Sequence, residues 1–159
     1  MYDGDDIDLL YVLSSGGWST CLLFVNRQIY ELDISHSFGN PIGDLIEATV
    51  LMMKGDSTVE LTWWNEPGGN RWRMTRNPAK RHLMKVVVTE FPSHYSFGDE
   101  VAGEIMLVEF EIKINQFAKL VYYQMKKLAA LLKEKSFEKN RSGDFPYQAF
   151  FKLESFFGV

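Results

Sequence analysis

The sequence predicts an α+β domain: an antiparallel sheet of about six strands, in the order ββ-α-ββββ-αα, with helices packed on one face. Three observations predict it. Residues 58–114 hold several runs in which apolar and polar side chains alternate with a period of two, joined by tight turns that favour antiparallel pairing. Residues 41–54 carry one apolar stripe at helical spacing between a start signal and a stop signal. Residues 115–135 and 146–157 return to helical spacing and supply the covering layer. With 159 residues, 46% of them hydrophobic and 14% aromatic, the chain can bury one core and reads as a single domain spanning 1–159. Residues 1–17 read as a flexible acidic segment ahead of it.

Residues 19–25 form a short β-rich run, and residues 28–34 alternate Tyr30, Leu32 and Ile34 with Glu31 and Asp33. Asn26 and Arg27 lie between them, so the pair reads as a hairpin that lacks the Asn-Gly turn signature. The first helix follows. Asn40 suits the cap, Pro41 the first helical position, and Asp44 and Glu47 the positive end of the dipole. Ile42, Leu45, Ile46, Val50 and Met53 form the stripe, and Lys54-Gly55 the stop.

Beyond it, Val59, Leu61 and Trp63 point to one side of a strand and Glu60, Thr62 and Trp64 to the other. A turn at 66–69 leads to Arg71–Thr75. A four-residue loop there puts Trp63 opposite Trp72 and Trp64 opposite Arg71, with Leu61, Trp63, Trp72 and Met74 on one buried face. Strands over about 82–91 and 104–114 complete the sheet, the second with Met106, Val108, Phe110, Ile112 and Ile114 inward and Leu107, Glu109, Glu111 and Lys113 outward. Asn115 suits the cap of the next helix, whose stripe runs through Phe117, Leu120, Val121, Gln124, Leu128, Leu131 and Leu132. A polar joint at 139–144 precedes a last helix opened by Pro146, which carries Tyr147, Phe150, Phe151, Leu153, Phe156 and Phe157.

The chemistry is sparse. Cys21 is the single cysteine, so no internal disulfide forms and a reducing compartment fits. An acidic N-terminus is unlike a secretion signal, and no window of 18 uncharged apolar residues occurs to form a spanning helix, so the expected location is the cytoplasm, away from membranes. His36, His82 and His94 lack metal-ligand spacing, and no phosphate-binding loop, dinucleotide fingerprint or nucleophile elbow occurs. No cofactor or metal is expected. One alternative is a small enzyme in which a histidine meets Asp33, Asp44 or Glu66 in space.

Charge is unevenly spread beneath a net −4. Residues 1–70 hold 11 acids and 2 bases, residues 71–85 six bases and no acid, residues 86–112 six acids and no base, and residues 113–159 nine bases and four acids. Such blocks steer charged partners. The basic run, with Arg71, Arg73, Arg76 and Arg81, gives a second alternative, a nucleic-acid-binding module. An acidic chain opposes it, since counterion release needs several unopposed cations.

Phe38-Gly39, Gly43-Asp44-Leu45-Ile46, Trp63-Trp64-Asn65-Glu66-Pro67-Gly68 and Arg71-Trp72, with a lysine-rich penultimate helix and Phe145-Pro146, carry a resemblance. The pattern resembles a group of small bacterial α+β proteins found beside polymorphic toxin genes, and is similar in scale to the cytoplasmic immunity proteins of contact-dependent growth inhibition systems. It covers most of residues 35–157. The resemblance implies a non-catalytic protein that binds and neutralises the C-terminal toxin domain of a cognate effector, often a basic nuclease. An acidic inhibitor surface would speed encounter with such a domain. Glu60, Glu109, Glu111 and the aspartates at 3, 5, 6 and 8 are the candidate contributors, with Arg71 and Arg73 beside them. Trp64, a tryptophan on the polar side of a strand, is the sharpest candidate: it is covered by this chain or presented to a partner.

Overall fold

A computed structural model describes residues 6–92, 103–141 and 144–158. The fold is α+β, as the alternation and helical stripes predict, but the described strands number seven and divide into two antiparallel sheets. The first sheet has the order β1 (Ile7–Leu13), β2 (Trp18–Val25), β3 (Gln28–Ser35). The second has the order β4 (Thr58–Trp64), β5 (Gly69–Arg76), β6 (Leu83–Phe91), β7 (Ile105–Lys113). Helix α1 (Pro41–Lys54) joins the two sheets, and α2 (Ile114–Leu131), the single-turn α3 (Lys135–Glu138) and α4 (Tyr147–Ser155) follow β7.

The extra strand lies in the segment expected to be flexible. Ile7, Leu9, Tyr11 and Leu13 alternate inward along β1, while the acids that colour the N-terminal composition stop at Asp8. Net charge hid the period of two. As an edge strand, β1 offers unpaired backbone groups. The Gln124 side chain accepts from the Tyr11 amide at 3.1 Å, Lys127 donates to the Tyr11 carbonyl at 2.7 Å, and Arg141 donates to the Leu13 carbonyl at 2.9 Å. The β2–β3 hairpin forms as expected, with Val25 paired to Gln28 across Asn26 and Arg27, both at positive φ (50° and 69°), which is the geometry of a tight primed turn.

Helix α1 keeps its expected ends. The Asn40 side chain accepts from the Gly43 amide at 2.9 Å, and Gly55 closes the helix at φ 114°. Arg76, at the end of β5, then clamps that C-terminus by donating to the carbonyls of Met52, Asp56 and Arg81. Helix α2 starts two residues early: Lys113 takes the cap position, without a side-chain bond, and Asn115 lies inside the helix. Its buried side is Phe117, Ala118, Val121, Tyr122, Met125 and Leu128, and Leu131 is exposed, so the packed face is rotated from the expected stripe toward Tyr122 and Met125. The Tyr122 hydroxyl donates to Glu154 at 2.6 Å and ties α2 to α4.

One core lies between the helices and the inner faces of both sheets. Leu61, Trp63, Trp72 and Met74 share the inner face of the second sheet, as the alternation requires, but the ladder is offset by two residues from the expected one: Trp63 pairs with Asn70, Leu61 with Trp72, and Trp64 with Gly69 rather than Arg71. The loop is 65–68, closed by the Asn65 amide donating to the Gly68 carbonyl at 2.8 Å. A slip of two preserves the faces and changes every partner. In β7, Val108, Phe110 and Ile112 are buried, whereas Met106 is 59% exposed, because the β6–β7 register shifts at Val88/Thr89.

Candidate partner-binding interface

The outer face of the second sheet gathers the predicted residues. Alternation turns Glu60, Thr62 and Trp64 of β4 outward with Arg71 and Arg73 of β5, Lys85 of β6, and Glu109 and Glu111 of β7. The register lines up Glu60, Arg73, Val87 and Glu109 in one cross-strand row and Thr75, Lys85 and Glu111 in the next. These neighbours satisfy one another. Arg73 donates to Glu60 at 2.6 Å, Lys85 meets Glu109 at 2.9 Å, and Arg71 lies 3.6 Å from Glu104. The hydrogen bond that Arg73 donates to Glu60 raises the arginine's pKa still further above physiological pH. Exposed pairs of this kind contribute about 0–1 kcal/mol each to stability, so their main effect is to hold side chains in place.

An open depression of about 380 Å³ lies at one end of this face, lined by Arg73, Thr75, Arg76, Lys85, Val87 and Glu111. Its cations are engaged: Arg73 by Glu60, Lys85 by Glu109, and Arg76 by three carbonyls. A phosphate there would compete with a carboxylate for Arg73 and for Lys85, and with backbone carbonyls for Arg76. Trp64 is half-buried, its ring 5.2 Å from Phe91 and 6.0 Å from Phe38, centroid to centroid, so this chain covers much of it, and its cross-strand partner is Gly69 rather than Arg71.

The described histidines, His36 and His82, do not line this depression. His36 follows β3, and its Nε2 is 2.5 Å from the Ser19 hydroxyl, on a serine only 1% exposed. Burial pushes the imidazole below its ordinary 6.5. His36 and Asp144 line one recess of about 140 Å³, beside Asn40. That volume is below the roughly 300–1,000 Å³ of most small-molecule sites. His82 is exposed in the turn before β6. His94 lies outside the described residues, as do the aspartates at 3 and 5. Among the described residues no cluster of three or more His, Cys, Asp or Glu could hold a metal ion. No described helix is long and apolar enough to cross a membrane.

Sequence reasoning missed a second face, the outer side of β1–β2–β3. Leu10 and Val12 of β1, Trp18, Leu22 and Phe24 of β2 and Ile29 of β3 share it with Asp8, Glu31 and Asp33. The signal was present: β2 is apolar at odd and even positions alike, a pattern suited to a strand covered on both sides. Comparison with protein-family models, curated proteins and solved structures returned no match for this chain.

Proposed function

We propose that this chain is a non-catalytic binding protein of the immunity type, which works in the cytoplasm by seizing the C-terminal toxin domain of a cognate effector. One observation carries the reading. Both sheets spend one face on the core and leave the other to solvent, so two stiff platforms with pre-positioned side chains face outward. Recognition by such a platform needs no cleft, only complementary shape and charge held at low entropic cost.

The experiment is co-expression with the C-terminal domain of the secreted protein encoded immediately upstream. A stable complex on gel filtration, with loss of toxicity in cells, supports the reading. A metabolic gene in that position, with no toxin domain bound at micromolar concentration, ends it.

A further inference from the structure

The outer face of the first sheet differs in kind from that of the second. Its centre is apolar: the register sets Leu10 beside Leu22 and Phe24 beside Ile29, with Val12 and Trp18 at the other end. Ile29 is 63% exposed, Val12 39% and Trp18 38%. Its charges have one sign. Asp8, Glu31 and Asp33 lie on this face, and β1, β2 and β3 contain no lysine or arginine. Thr20 donates to Asp33 at 3.1 Å, which fixes one carboxylate without neutralising it. On the second sheet Arg71, Arg73 and Lys85 already face carboxylates of their own chain.

Three strands about 4.8 Å apart and about 25 Å long make a face of roughly 350 Å². Six of the ten outward side chains are apolar, so the apolar share is roughly 200 Å², smaller than the roughly 300–600 Å² of the largest patch on an ordinary monomer, and what sets it apart is the ring of acids around it. An apolar centre with a charged margin is also the anatomy of an interface. Resting on the immunity reading, we propose that the outer face of β1–β2–β3 is the surface on which the toxin domain docks, through apolar side chains ringed by lysine and arginine. Charge chooses this occupant. A second copy of the chain would bring Asp8, Glu31 and Asp33 against a surface of the same sign, whereas a basic domain would neutralise them. The same acids then cover cations that a nuclease needs for phosphate.

The test titrates the purified toxin domain encoded upstream against the full chain and three variants by calorimetry, each variant first checked for unchanged circular dichroism. Ile29→Lys, at an exposed position, and the double variant Glu31→Lys/Asp33→Lys should each weaken binding by about tenfold or more, the double variant also flattening the salt dependence of association. Glu47→Lys, an equal charge reversal at an exposed position of α1, should stay within about threefold. Wild-type binding that the first two variants leave within twofold, or that Glu47→Lys alone abolishes, overturns the docking surface while the immunity reading stands. Failure of the wild type itself to bind at micromolar concentration overturns the reading and the surface with it. A wild-type dimer on sedimentation that Ile29→Lys makes monomeric assigns the face to a second copy, and so also overturns the proposal.

Discussion

The ring of Tyr11 on β1 meets that of Trp63 on β4 nearly edge-on, at 6.1 Å between centroids and 71° between planes. The two sheets form separate hydrogen-bonded ladders, so this contact is one of the places where they are joined. Trp63 in turn packs at 5.2 Å on Trp72 and donates its indole N–H to the Pro41 carbonyl at 3.2 Å, which links both sheets to the start of α1. The Tyr11 hydroxyl is buried without a hydrogen-bond partner, and burial drives its pKa up; the neighbouring Ser19 hydroxyl offsets a little of that rise but is turned to His36. Tyr11→Phe keeps the ring and removes an unpaired polar atom, so stability should change by less than about 1 kcal/mol. Tyr11→Ala opens a cavity at the seam and should cost about 4 kcal/mol. Urea titration of both variants checks the contrast.

Arg27 holds φ 69° in the two-residue β2–β3 turn, a conformation that costs a non-glycine residue roughly 1 kcal/mol or more. Arg27→Gly should raise stability by about 0.5–1 kcal/mol, read as a higher urea midpoint at constant m-value, once the extra freedom of glycine in the unfolded chain is subtracted. A fall in the midpoint would show that the arginine side chain contributes more than the turn loses.

A Cβ on Gly69 would run into the Trp63 carbonyl and the Phe91 ring. Backbone cannot yield there without parting the β4–β5 ladder, so Gly69→Ala should cost more than about 3 kcal/mol. Gly16→Ala, where nothing lies within 4 Å but φ is 76°, should cost only about 1 kcal/mol. Melting temperatures of the two variants separate steric exclusion from backbone preference.

Arg76 gathers three carbonyls from the end of α1 and the β5–β6 connection. Arg76→Met should therefore lose about 2 kcal/mol and loosen the C-terminal turn of α1, visible as faster amide exchange at Gly55 and Asp56. Arg76→Lys, without the planar fork, should recover less than half of it.

His36 makes stability depend on pH in a defined direction. Burial lowers its folded pKa below 6.5, so as pH falls through 6.5 the unfolded chain takes up a proton that the folded chain refuses. Stability from this group is complete above pH 6.5 and declines as pH falls toward the folded value. Urea midpoints measured from pH 7.5 to 5 should fall less steeply for His36→Asn than for wild type; parallel curves would exclude the histidine as the source.

The sequence by itself determined whatever a local period encodes. Hairpin β2–β3, helix α1 with both ends, and the inward set Leu61, Trp63, Trp72 and Met74 follow from alternation, capping chemistry and a two-residue gap, which depend on neighbours within a few positions. It also placed Glu60, Arg73, Glu109 and Glu111 on one side of their strands, since parity survives a slip of two. Tertiary structure alone decided which of those charges meet, because an ion pair such as Arg73–Glu60 needs the register, and the register turned on whether the loop was 65–68 or 66–69. It alone divided the strands into two sheets, since that depends on where α1 delivers β4. It alone left the outer side of β1–β2–β3 without a described helix over it: a strand apolar on both faces says that both are to be covered, and only the packed chain shows that the described helices reach just one of them.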